Sequence, residues 1–235
     1  MLRGIFDSGR PLVYVQSAEE DRIGRVLREI GIPVFTWSLT EGLEGEVQSP
    51  RAVLDHIGDH SGAAIFHLKD FHEPLRESPE IRRRLRDLDQ SCLNQRKFVV
   101  ITSPVRSIPE ELERNLLFVQ LRPPDLNELV AFLKDESQET DEAILNPLAR
   151  AVQGLTLEET RYALRRALAA TPRLGPESIP ALLEEKRFLV NRSGVVEYIA
   201  DGTQLGDVGG LEGLKKWLLE RQKLFHLRDT LSAEL

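Results

Sequence analysis

The chain has 235 residues, 41% of them hydrophobic, which is enough for one or two domains with a buried core. A formal net charge of -7 and a pI near 5.4 argue against a dedicated nucleic-acid or anionic-membrane surface, since either needs clustered, uncompensated Lys and Arg. The single cysteine, Cys92, excludes an internal disulfide and a paired-cysteine zinc site, and fits a reducing compartment. No apolar run is long enough to span a membrane or has the form of a signal peptide, so a soluble, cytoplasmic protein is expected.

In chain order, five short apolar runs predict strands: PLVYVQ (11–16), PVFTWSL (33–39), AAIFHL (63–68), KFVVIT (97–102) and LFVQL (117–121). Amphipathic segments alternate with them. Ser17 and Glu20 predict a capping box ahead of Ile23, Val26, Leu27 and Ile30, and Ser49-Pro50 and Ser78-Pro79 each read as an N-cap followed by proline at the first helical position. The alternation predicts an α/β fold, a five-stranded parallel sheet with helices on both faces, over residues 1–123.

After Pro123 helices dominate. Asp125 with Glu128 and Thr156 with Glu159 predict two further capping boxes, Gly154 a helix stop, and a helix is expected over about 181–190, giving a small helical lid over 124–193. GTQLGDVGG is a glycine-rich joint opening a last segment, 194–235, in which Leu211, Leu214, Trp217, Leu218, Leu224 and Phe225 form one apolar stripe.

The chemistry turns on Asp70. A buried strand ending in a carboxylate is how a nucleotide hydrolase orders its magnesium, provided a phosphate cradle faces it. A cradle needs G-x-x-x-x-G-K-[ST] between strand and helix, so that backbone N–H groups and a lysine face the phosphates. Here no lysine follows a glycine or precedes Ser or Thr. The first strand is followed by QSAEEDR, in which Glu19, Glu20 and Asp21 repel an anion, and Asp70 is followed by Phe71 in place of a water-activating glutamate. His67 and His72 flank Asp70 in the manner of metal ligands, yet His67 lies within the apolar strand, so no metal site is expected, and Arg82, Arg83, Arg84 and Arg86 read as a charged helix face over Ile81, Leu85 and Leu88.

The order of elements, the KDFH and ITSP strand ends, PEELERN and the GLTLEET lid helix together resemble a degenerate AAA+ module, and GDVGGLEGLKKWLLERQKLF looks like the linker that opens a second, intact AAA module. Both in one chain are similar to the AAA ATPases of cyanobacteria, plastid genomes and other bacteria known as hypothetical chloroplast reading frame forty-six. The resemblance implies the N-terminal part of a longer ATP- and Mg2+-using protein whose P-loop lies further on. The present chain would then carry no cofactor, metal or catalytic residue. Asp70, Thr102, Ser103 and Arg114 would be vestiges of a nucleotide site, and Leu211, Leu214, Trp217, Leu218, Arg221 and Phe225 the inter-module linker. The implied partners are the C-terminal AAA module, further copies of the chain and a protein substrate. Two other readings stand beside this one: a nucleotide hydrolase with an unorthodox cradle, and a nucleic-acid binder using the Arg82–Arg86 helix.

Overall fold

The computed structural model describes residues 9–46, 49–137, 139–170, 173–192 and 205–227, together with Gly4 and Phe6. Each expected apolar run forms a strand: β1 (Leu12–Gln16), β2 (Val34–Ser38), β4 (Ala64–Lys69), β5 (Lys97–Ser103) and β6 (Leu117–Gln120). These pair in parallel in the order β2-β4-β5-β1-β6. The sheet nevertheless has six strands and is mixed, which corrects the expectation of five. The sixth, β3 (Gly42–Leu43), turns back antiparallel on the β2 edge, pairing Trp37 with Leu43. At two residues it is too short for periodicity to reveal; Gly42, at φ 67°, ends the reversal from β2, and Gly45, at φ 89°, lies in the next turn, between Leu43 and Glu46.

Alternation along the strands sends residues to two cores. On one face Leu12, Tyr14, Phe66, Leu68, Val99 and Ile101 pack with Val53, Leu54 and Ile57 of α2 (Pro50–Asp59), Leu75 of α3 (His72–Glu77) and Ile81, Leu85, Leu88 and Cys92 of α4 (Pro79–Gln95). On the other, Val13, Val15, Ile65, Phe98 and Val100 pack with Ile23 and Leu27 of α1 (Glu20–Arg28). Ser49 and Ser78 accept from Ala52 N–H and Ile81 N–H, capping α2 and α4 as their sequences require.

A charged side chain is buried completely against the end of α2. Lys97, fully buried at the start of β5, donates from Nζ to the carbonyls of Ile57 (2.7 Å), Gly58 (3.1 Å) and His60 (3.0 Å). These are the orphan acceptors where α2 ends, so the ammonium meets both the unpaired carbonyls and the negative end of the helix dipole.

Helices α5 (Leu126–Ser137), α6 (Glu142–Val152), α7 (Leu157–Ala170) and α8 (Ile179–Arg192) follow. Both predicted capping boxes form: Glu128 N–H donates to Asp125 and Asp125 N–H to Glu128, and the same exchange joins Thr156 and Glu159. Gly154 ends α6 with φ 98°. By internal contacts the chain divides into two compact units, Met1–Lys186 and Arg187–Leu235. The first holds the sheet and α1 to α7; the second contains a 3-10 turn (Leu205–Asp207) and α9 (Glu212–Leu227). No described helix is long and apolar enough to cross a membrane.

Candidate functional site

The sheet order places a topological switch at the carboxyl ends of β1 and β5: the chain leaves β1 towards β2 but leaves β5 towards β6. In open α/β sheets this is where a ligand crevice forms. The turn from β1 into α1 lies here, and its own side chains and backbone occupy it. Ser17 N–H donates to Ser103 O at 2.8 Å, which holds the turn in register with β5 instead of letting it curl into a loop of free N–H groups. This corrects the capping box expected at Ser17 and Glu20. The helix begins at Glu20 without a side-chain cap, Ser17 Oγ accepts from Glu19 N–H (3.0 Å), and Glu20 pairs with Lys69 at 3.1 Å. Because Ser17 is tied to the sheet, its hydroxyl cannot reach the first turn of α1.

Glu19 turns inward. Its Oε1 accepts from Leu157 N–H at the start of α7 (2.7 Å) and its Oε2 pairs with Arg22 (2.9 Å); both side chains are almost fully buried. Arg22 forks onto Glu128 with Nη2 at 2.8 and 3.0 Å, and donates to Arg122 O at 2.8 Å. In the sequence Glu19 reads only as a repelling charge, and Arg22 has no evident role. Their i,i+3 spacing was visible, but nothing local announces a partner at position 128 or 157. For a phosphate chain the arrangement does not fit. Glycines and a lysine are missing, and an internal carboxylate already takes the helix donor and the guanidinium nearest the turn.

The predicted vestigial residues are only partly brought together. Asp70 N–H donates to Thr102 O at 2.8 Å, so the ends of β4 and β5 meet. Asp70 adopts φ 51°, a left-handed conformation an aspartate tolerates, and its carboxylate is half-exposed, 3.7 Å from His72 Nδ1. Phe71 is fully buried and packs edge-on against Trp37, so the position after Asp70 belongs to the core. The Thr102 hydroxyl is taken by buried His67 Nε2 at 2.8 Å, and burial holds the His67 pKa down to about 4. Ser103 Oγ accepts from Val105 N–H, closing a tight turn. Arg114 sits on an exposed turn after the 3-10 helix Glu110–Leu112. No group of three or more metal-ligating side chains occurs among the described residues.

The arginine helix is largely self-neutralised. Arg82 pairs with Glu111, Arg83 with Asp87 at 2.7 Å, and Arg84 with Asp55 and Glu80. Guanidinium groups already on carboxylates are poorly placed to release counterions from a nucleic-acid backbone. Of the residues expected to form a linker, Leu211, Leu214, Trp217 and Leu218 are exposed on and just before α9, and the Arg221 guanidinium lies 5.3 Å from the Trp217 ring centre. The Phe225 side chain, and residues 193–204, which include the start of the joint, lie outside the described residues.

The N-terminal domain model of SpoVK-like AAA ATPases matches residues 1–121, and the second-domain model of the same group matches residues 125–193. The chain belongs to the SpoVK-like AAA ATPase family. It is similar to the AAA domain-containing protein ycf46 of Trieres chinensis, 28% identical over 93% of this chain and 47% of that protein. Its similarity to ycf46 of Guillardia theta is also 28%, over 93% of this chain and 46% of that protein. The chain thus spans about half the length of these relatives. Among solved structures, a RuvB variant of Thermotoga maritima superposes with a TM-score of 0.52 at 12% identity, covering 78% of this chain and 65% of that one. That likeness establishes a shared P-loop-type α/β fold and nothing about activity.

Proposed function

We propose that this chain is a non-catalytic AAA-like portion of a longer AAA ATPase, serving assembly, regulation or substrate engagement for an ATP- and Mg2+-using module further along the protein. The observation that carries the reading is the turn after β1. There a family built around phosphate binding has, in this chain, Ser17 pinned to Ser103 and Glu19 turned onto Arg22 and the α7 N-terminus. A carboxylate in that place opposes a bound phosphate chain electrostatically.

In this reading residues 1–123 are the degenerate core, 124–193 a helical lid, and 194–235 the linker and opening of the next module. The protein works in the cytoplasm as a homo-oligomer assembled through AAA-type packing and engages a protein substrate. The coupling element is α9. Leaving Leu211, Leu214, Trp217 and Leu218 in water forfeits roughly 1.5 to 3 kcal/mol for each side chain that a partner surface would otherwise bury, and the following module supplies that surface.

The reading is tested on a longer protein carrying this chain together with the module that follows it. Trp217→Ala there lowers steady-state ATPase activity severalfold, while in the isolated chain it leaves the melting temperature unchanged. Undiminished ATPase activity in the variant contradicts the coupling role.

A further inference from the structure

The Glu19–Arg22–Glu128 cluster connects three helices that are distant in sequence. Glu19 sits at the N-cap position of α1, Glu128 in the first turn of α5, and Leu157 begins α7. A helix N-terminus presents unpaired N–H groups and a positive dipole end, and holds an anion well. At α7 one of these groups, the capping-box N–H of Glu159, is satisfied by Thr156 Oγ1 at 3.2 Å, and the first helical N–H, that of Leu157, goes to Glu19. Arg22 closes the other side, buried and doubly bonded to Glu128, which also accepts from Asp125 N–H at the start of α5.

We propose that Glu19 is a built-in anion that clamps the helical unit onto the sheet core, its carboxylate shared between the α7 N-terminus and the Arg22 guanidinium. Being covalently attached, this anion is always present, so the placement of α5 and α7 on the core is fixed by side chains and does not follow the concentration of any diffusible phosphate. Arg25, Arg161 and Glu158 line the adjoining hollow of about 180 Å³ together with Glu20 and Asp21. Removing the Glu19 side chain enlarges that hollow and leaves Arg22 and the Leu157 N–H facing it. A small free carboxylate then fits where the tethered one was.

The inference rests on the contacts of Glu19 and Arg22 themselves, and not on the closed phosphate position or on any role in a longer protein. Amide hydrogen exchange of the isolated chain, read residue by residue without nucleotide, tests it in wild type and Glu19→Ala, each in sodium acetate and in sodium chloride at matched ionic strength. The wild type exchanges identically in both salts. Glu19→Ala exchanges about tenfold or more faster through the first turns of α7 and α5, with β5 unchanged, and acetate but not chloride restores most of the protection. Wild-type exchange in α7 of the variant overturns the clamp. So does a loss that acetate does not restore, or one spread equally through β5. If Glu19→Ala does not fold, Glu19→Gln, which keeps the shape and loses the charge, takes its place: a rise confined to α7 and α5 supports the clamp and unchanged exchange refutes it. ATP binding by the wild type would defeat the non-catalytic reading without touching this outcome.

Discussion

Strand β5 and helix α9 treat their side chains in opposite ways. Every residue of β5 is buried, including Lys97, Thr102 and Ser103, and each of those polar groups has a partner inside the first unit: three carbonyls for Lys97, His67 for Thr102, Val105 N–H for Ser103. On α9 most of the described polar side chains face water and so do the described large apolar ones, with Trp217 at 51% exposure and Leu219 at 50%. The contrast sets a strand whose polar side chains all find partners within the first unit against a helix whose large apolar side chains stand exposed; in the reading proposed above, the module that follows covers that helix.

The largest expected effect probes the complete side of the contrast. Arg22→Ala leaves Glu19 buried without its cation, and breaking a buried pair this way costs on the order of 3 to 5 kcal/mol, read as a fall in the urea midpoint. A loss below about 1 kcal/mol would place the cluster among ordinary surface pairs. Next comes pH. The unfolded chain protonates His67 near 6.5 and the folded one near 4, so stability from this residue is whole above about pH 6.5 and drains as pH falls towards 4. The full difference is about 3 kcal/mol, and His67→Gln removes that part of the acid slope relative to wild type. Lys97→Met keeps the volume but strands three carbonyls at the end of α2, for about 2 kcal/mol, visible in thermal melts.

The smallest expected effects come from the side left open. Trp217→Ala changes the stability of the isolated chain by less than about 0.5 kcal/mol. Amides over 212–224 in a monomeric sample exchange far faster than those of β5; equal protection would make α9 self-sufficient and erase the contrast. Asp70→Asn belongs with these, because the carboxylate is half in solvent and only its backbone N–H serves the sheet.

The legible parts of the chain were those encoded by local period and local capping. Five strands, the caps at Ser49, Ser78, Asp125 and Thr156, and helix α9 all lie within a few residues of the signals that specify them. Strand β3 was missed because two residues carry no period. The Ser17 cap was misread because a long-range bond to Ser103 outranks a local hydroxyl. At the candidate site, the lack of glycines and lysine was readable, yet what fills the space was not: Glu19, Arg22, Glu128 and Leu157 span 138 residues of sequence separation, and only folding brings them together. Lys97 escaped for the same reason, since an isolated lysine at a strand start reads as a solvent-facing end until the helix terminus it caps is in place.

The central claim is that the phosphate position is closed by the chain's own carboxylate and backbone. Calorimetric titration of the isolated chain with ATP and Mg2+ tests it most directly. The account predicts no heat of binding beyond dilution; a dissociation constant tighter than about 100 μM, roughly 5.5 kcal/mol of binding free energy, would contradict it.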